Sequence, residues 1–243
     1  MSKIYDALKR AEREREIARD RGGRDDGHDI EPAAARNGGH QEDDDYRRLR
    51  ATLLFAPAYS DVRTIAVTAT RHGEGATRVA VGLARALAAE GETRVLLVEA
   101  NLRTPAFARK LPVPKSPGLA ELLAGEATAP SLIAPVRDWN LSVISGGFRP
   151  AVIDCEAIAA AIAEVMGQFD FVIIDLPPVN RYADASILAP KVDGVILVVE
   201  ADRTPVADAE SAKKSLDRVG ARIFGVVLNR RRSYVPATLQ ALL

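Results

Sequence analysis

Short, continuously apolar runs, each separated from the next by a helical pattern, limit this chain to very few architectures. The runs are TIAVTA (64–69), RVLLVEA (94–100), NLSVISGG (140–147), FVIIDLPP (171–178), GVILVVEA (194–201) and IFGVVLN (223–229). A strand with one wet face alternates apolar and polar residues, and these do not. Strands apolar on both sides are covered on both faces, as in a parallel sheet between two helix layers. The intervening segments supply the helices. Val79, Leu83, Ala86 and Leu87 recur at helical spacing after the first run. GLAELLAG (118–125) is a short helix with glycine at each end, residues 154–167 form an Ala-rich helix, and two more fall around 183–190 and 205–219. Right-handed crossovers between such units predict a doubly wound α/β domain with a mainly parallel sheet.

That domain is expected over residues 44–243, opening with a helix in DDDYRRLRATLLFA (43–56) whose acidic residues occupy the first turn. Residues 1–20 read as a separate helix with a thin apolar stripe of Ile4, Leu8 and Ala11. Between them, residues 21–43 are rich in Gly, Asp and Arg and read as a flexible linker.

Bulk properties narrow the function classes. Of 243 residues, 47% are hydrophobic, and 33 basic side chains balance 33 acidic ones, so the chain can bury a core and is not a nucleic-acid polycation. A single cysteine, Cys155, excludes an internal disulfide framework and a cysteine-rich zinc site. No apolar run approaches the roughly 20 residues that span a bilayer, and MSKIYDALKR has no signal-peptide core. The expected location is the cytoplasm, with any contact to the inner membrane made peripherally through a partner.

The first apolar run leads straight into HGEGAT (72–77) and then a helix. A strand–glycine loop–helix junction directs backbone N–H groups and a helix N-terminus at one place, which suits a phosphate. Gly73, Glu74 and Gly75 form the loop, and Thr77 stands where a magnesium-binding hydroxyl belongs. A second run ends in Asp175 followed by two prolines, the position from which an acid holds magnesium in P-loop proteins. The residue expected to be the Walker A lysine is Ala76.

With RVLLVEANLRTPAF, GLAELLAG, FDFVIIDLPPVNRYADASILAPKVDGVILVVEADRTP and GVVLNR in order, residues 44–230 resemble the cytoplasmic domain of the bacterial tyrosine kinases of polysaccharide export and chain-length control (CpsD/CapB-like), relatives of the MinD/ParA P-loop ATPases. MSKIYDALKRAERER is similar to the start of exopolysaccharide-associated members. The resemblance implies ATP or ADP with Mg2+ as cofactors, bound through Gly73 to Thr77 and Asp175. It implies that Glu99 and Asn101 match a pair of catalytic aspartates, and that Asn229 matches an adenine-contacting asparagine. It makes Asp44, Arg47 and Arg50 a subunit-contact motif, here with Asp for the usual Glu. The implied partners are further copies of the chain or a related kinase-family subunit, and a cytoplasmic segment of a chain-length or export membrane protein. No nucleic acid is expected.

The departures are equally specific. The loop lysine is Ala76, the paired aspartates are Glu99 and Asn101, and only Tyr234 remains of a C-terminal tyrosine cluster. Changes at three positions of one site point to relaxed catalytic demand: a degenerate, regulatory or assembly member. Two alternatives stand beside it. One is an active autokinase or ATPase in which Arg71 replaces the lysine, since a second lysine occupies about that position in the MinD/ParA relatives and an arginine contacts phosphate bidentately. The other is a MinD/ParA-like positioning ATPase.

Overall fold

The computed structural model describes residues 38–55, 61–89, 93–136, 139–148 and 153–231. Its helices are α1 (Gly38–Phe55), α2 (Ala76–Ala88), α3 (Phe107–Lys110), α4 (Leu119–Leu123), α5 (Cys155–Val165), α6 (Ala183–Leu188) and α7 (Val206–Arg218). Its strands are β1 (Thr64–Ala69), β2 (Val95–Glu99), β3 (Ala134–Val136), β4 (Leu141–Ile144), β5 (Phe171–Asp175), β6 (Gly194–Glu200) and β7 (Ile223–Asn229). The expected N-terminal helix, most of the expected linker and Tyr234 lie outside the described residues.

The strands form a seven-stranded sheet in the order β3-β4-β2-β5-β1-β6-β7. Every pairing is parallel except β3 with β4, which is antiparallel. All of β1 and β2 is buried, as continuous apolar runs require. The antiparallel edge was not expected. Three residues centred on Pro135 carry no strand pattern, and proline is tolerated there because an edge strand leaves one side unpaired.

Helices cover both faces. On one face Leu53 of α1, Val79, Leu83 and Leu87 of α2 and Phe107 of α3 pack with Ile65, Leu97 and Ile173. On the other, Ile158 and Ile162 of α5, Leu188 of α6 and Leu216 of α7 pack with Leu96, Ile174 and Leu197. Burying a leucine completely is worth about 1.5–3 kcal/mol, so these side chains hold the layers together. In α2 the buried stripe is Val79, Ala80, Leu83, Ala84 and Leu87, with Ala86 turned to its edge, a phase slightly different from that expected.

α1 starts at Gly38 rather than near Asp44, so the acids at 43–45 fall in its middle and none lies in its first turn. No proline or glycine interrupts residues 40–55, so the helix propagates back to the Gly38–Gly39 pair. α1 docks on α2 through Tyr46, whose hydroxyl donates to the Arg78 carbonyl at 3.3 Å. The ring lies where a Cβ on Gly82 would stand, so only glycine permits this approach.

β1 pairs β5 on one side and β6 on the other, while the chain after β1 crosses to β2 beyond β5. The carboxyl ends of β1, β5 and β2 therefore meet where open α/β sheets bind ligands.

Candidate functional site

Residues 70–75 leave the carboxyl end of β1 as the expected loop. Gly73 and Gly75 have φ of 90° and 98°, a left-handed conformation that glycine adopts at little cost. Gly75 caps α2 without any side-chain hydrogen bond. Its α-carbon also faces Asn229, whose amide a Cβ would overlap. Asn229 Nδ2 donates to the Glu74 carbonyl at 2.7 Å, and its Oδ1 accepts from Arg230 N at 2.9 Å. In the structure Asn229 clamps the loop to the end of β7.

Glu74 is 3% exposed, with its carboxylate turned into the protein behind the loop. Oε2 accepts from the N–H groups of Thr70 at 2.8 Å and Arg71 at 2.9 Å. The Thr70 hydroxyl lies 2.7 Å from Oε1, which also accepts from Thr204 Oγ1 at 2.6 Å. Glu74 thus shapes the loop from behind.

Thr77 Oγ1 donates to Asp175 Oδ2 at 2.8 Å, bringing together two sequence-expected groups 98 residues apart. Asp175 is 1% exposed, and its other oxygen, Oδ1, is buried without a hydrogen-bond partner. Burial pushes its carboxyl up to about 7; the Thr77 hydroxyl opposes this, Glu99 adds to it and Lys110 opposes it. A hydroxyl beside a carboxylate with a spare buried oxygen suits a hard divalent cation bound through oxygen. Thr77 and Asp175 are the residues that would hold magnesium, which when bound neutralises charge on phosphate oxygens.

Glu99 and Asp175 are register partners on adjacent strands. The Glu99 carboxylate is nevertheless occupied elsewhere. Oε1 accepts from the N–H groups of Ala106 and, at 2.8 Å, Phe107; Oε2 accepts from Gly146 N at 2.8 Å. Burial pushes its carboxyl up, against the pull of these N–H groups and Arg109. The extra methylene over aspartate lets the group reach across to these backbone donors. Asn101, mostly buried just beyond β2, accepts from the Thr104 hydroxyl at 3.5 Å.

Arg71 is placed away from this pole. Its guanidinium pairs with Asp208 in the first turn of α7, and the side chain is half-exposed. The pair borders a cleft of about 360 Å³ between the loop, Asn180 and Arg181 after β5, and α7. Neither Thr77 nor Asp175 lines the cleft, so it lies beside the magnesium position rather than at it. Asp44 and Arg47 stand further off on the outer side of α1, paired with each other at 3.5 Å and largely exposed. Arg50 follows on the same helix, half-buried.

A family model described as ParA, NUBPL iron-transfer P-loop NTPase, matches residues 61–241. The chain belongs to the ParA family of P-loop NTPases. Among its relatives, tyrosine-protein kinase YwqD of Bacillus subtilis (strain 168) is 27% identical over 191 residues, spanning 77% of this chain and 80% of that protein. The succinoglycan biosynthesis transport protein ExoP of Rhizobium meliloti (strain 1021) is 32% identical over 181 residues, spanning 71% of this chain but 23% of ExoP. The crystal structure of the chimerical protein CapA2B2 superposes with a TM-score of 0.72 at 29% identity, covering 78% of this chain and 85% of that one. The ParA-family fold and the tyrosine-kinase kinship expected from the motifs are therefore both present.

Within this ParA-family site, several contributors carry no local sequence signal. Thr204, Asp208 and Gly146 reach their partners across 130, 137 and 47 positions of chain. Arg103, two residues after Asn101, is a further contributor of this kind. Its guanidinium holds Asp184 at 3.0 Å and 3.2 Å, tying the loop after β2 to α6.

Proposed function

We propose that this chain is a nucleotide-binding regulatory or assembly component of exopolysaccharide synthesis and export, with weak or no phosphoryl transfer. The observation that carries the reading is Ala76 at the head of α2, where the loop presents no ammonium to the β/γ oxygens of a nucleotide. A preorganised electrostatic donor is worth on the order of 10²–10³ in rate. The acidic pair supports the same reading. Glu99 spends both oxygens on backbone N–H groups, and Asn101 accepts no proton, so activation of an incoming hydroxyl has no base there.

Binding is a separate matter. Gly73 and Gly75 keep the loop conformation, and the Thr77–Asp175 pair keeps a seat for magnesium. Backbone donors hold phosphate whatever the side chains are. Nucleotide affinity is accordingly low but not lost.

The kinship with ExoP, a transport protein of which this chain matches 23%, supports a membrane partner. A cytoplasmic segment of a polysaccharide chain-length or export protein is the partner of choice, met at the inner membrane from the cytoplasmic side. No helix among the described residues is long and apolar enough to cross a membrane. Self-association, or pairing with a related kinase-family subunit, runs through Asp44, Arg47 and Arg50 on α1.

The test is a fluorescent-nucleotide titration of the purified chain with and without magnesium, run beside ATP turnover and phosphotyrosine assays. Magnesium-dependent binding without autophosphorylation is expected. Robust hydrolysis abolished by Arg71→Ala would overturn the proposal in favour of a non-standard enzyme.

A further inference from the structure

We infer that the cleft between Arg71, Arg181 and α7 is a receptor for a phosphotyrosine side chain presented by another chain. The inference goes beyond the reading above and holds whether or not a nucleotide occupies the phosphate loop.

The lining of the cleft carries the argument. Arg71 and His72 of the loop line one side, Arg181 of the segment after β5 another, and Asp208 and Ser211 of α7 a third. Arg181 is positioned without being spent. Its N–H donates to the Pro178 carbonyl at 3.1 Å, and its guanidinium lies over the Tyr182 ring, 5.4 Å from the centre. That ring is itself held by Arg103, 5.0 Å from its centre, which Asp184 fixes in turn. Arg181 is exposed, and no carboxylate among the described residues pairs with it. A guanidinium lying over a ring keeps its N–H donors for an anion. Arg71 shows that the cleft already accommodates one: the Asp208 carboxylate occupies it. Asn180 Nδ2 donates to the Asp208 carbonyl at 2.9 Å, which ties the first turn of α7 to the segment that carries Arg181. The lining thus sets two arginines against one carboxylate.

This balance selects the ligand. An incoming carboxylate would only exchange with Asp208 like for like. A phosphate monoester brings a charge of about −1.5 to −2 and three acceptor oxygens, enough to meet Arg181 and draw Arg71 off Asp208 together. A magnesium nucleotide is disfavoured, because neither Thr77 nor Asp175 lines the cleft. The volume of about 360 Å³ lies at the lower end of ligand pockets. It suits one ring bearing one phosphate better than a base, a sugar and a polyphosphate, and a phosphoserine would leave much of it empty. Phosphotyrosine is the product of a tyrosine-protein kinase, the class to which the related YwqD belongs.

The test is a fluorescence-anisotropy titration of the full chain with a labelled peptide whose only charged side chain is phosphotyrosine. Saturable binding is expected, unchanged when EDTA removes magnesium. Arg181→Met should weaken it about tenfold or more, the scale of a charge-assisted hydrogen bond. Asp208→Asn should tighten it about two- to fivefold, because it frees Arg71 from a half-exposed pair and removes a like charge. A merely structural role for Asp208 would not give that sign. Lys214→Met, exposed on α7, removes a charge elsewhere and leaves binding unchanged. The phosphoserine peptide and inorganic phosphate should compete at least about tenfold less well than the phosphotyrosine peptide. Thermal melts check that every variant folds. No saturable binding, equal binding of the unphosphorylated peptide, or binding indifferent to both Arg181→Met and Asp208→Asn overturns the inference. Equal competition by inorganic phosphate or by the phosphoserine peptide overturns it too. Displacement of the peptide by Mg-ADP, with Mg-ADP affinity lost in Arg181→Met, gives the cleft to the nucleotide and overturns the inference while leaving nucleotide binding standing.

Discussion

Thr204 Oγ1, in the loop after β6, donates a 2.6 Å hydrogen bond to the buried Glu74 carboxylate 130 residues earlier in the chain. The same hydroxyl accepts from Glu200 N at 2.8 Å, so the back of the phosphate loop is tied to the end of β6. Glu74 also accepts the N–H groups of Thr70 and Arg71. Glu74→Ala would strand the buried Thr70 donors, while the Arg71 N–H on the exposed side can turn to water, and is expected to lower stability by about 1–3 kcal/mol. Thr204→Val, which removes one hydroxyl donor to a carboxylate, should cost about 1–2 kcal/mol. Urea unfolding measures both, and a Glu74→Ala loss below about 0.5 kcal/mol would show that the network does not hold the loop.

Glu99→Asp installs the aspartate that the family resemblance implies at this position, yet should bring no phosphoryl transfer with it. The shorter side chain withdraws from Ala106, Phe107 and Gly146, whose N–H groups Glu99 now accepts. A stability loss of about 1–2 kcal/mol is expected, with no gain in ATP turnover. Turnover rising in Glu99→Asp alone would mean that the carboxylate position, not Ala76 and Asn101, limits the site.

The legible parts of the fold and site were those written in contiguous residues. Doubly apolar runs fixed β1, β2, β5 and β6 as interior parallel strands, and HGEGAT placed the loop at the end of β1. The Thr77–Asp175 pair followed because each group ends or begins a recognisable element. What stayed hidden depends on where long side chains turn after folding. The sequence points Arg71, Glu74, Glu99 and Asn229 toward a nucleotide, and the structure adds that each bonds another part of the protein. Their partners lie in distant segments, and no local spacing announces them. α3 and β3, at four and three residues, are too short for a periodic pattern to register.

Arg71→Ala tests the alternative cation directly. Its guanidinium bonds Asp208 in a half-exposed pair, and exposed pairs contribute about 0–1 kcal/mol. The variant should therefore melt within a few degrees of the parent and bind Mg-ADP with the same affinity. A loss of binding of about tenfold or more, the scale of a charge-assisted hydrogen bond, would show that Arg71 leaves Asp208 to meet the nucleotide.

Asp44 and Arg47 are presented on the outer side of α1, while Tyr46 on the same helix is locked against Gly82. α1 is thus a firmly mounted helix offering a polar face to a neighbour. For a parent that sediments as an oligomer, Arg47→Ala with Arg50→Ala should shift analytical ultracentrifugation profiles toward monomer. The weaker the parent assembly, the higher the concentration at which the two must be compared, since both are monomeric well below the parent dissociation constant. An unshifted profile would reject this face as the subunit contact.

Asp175 should make the site sensitive to pH in a direction set by its burial. The folded carboxyl is pushed up to about 7, against an ordinary value of 3.8. Between those values the folded chain keeps a proton that the unfolded chain has lost. The contribution to stability is therefore fully present below 3.8 and is lost as pH rises through about 7. Asp175→Asn does not titrate. In magnesium-free buffer its stability relative to the parent should increase from pH 5 to pH 8, by on the order of 1–3 kcal/mol. Titrations of groups that do not act on Asp175 are common to both proteins and cancel in the difference; Glu99, whose charge adds to the Asp175 rise, is the one coupled acid, and Glu99→Gln in both proteins removes it. Magnesium works against the proton, because a cation seated on Asp175 needs the ionised form. Magnesium-dependent nucleotide affinity should accordingly rise between pH 6 and pH 8 in the parent and stay flat in Asp175→Asn. A parent whose magnesium dependence ignores pH over this range would show that the cation does not sit on Asp175.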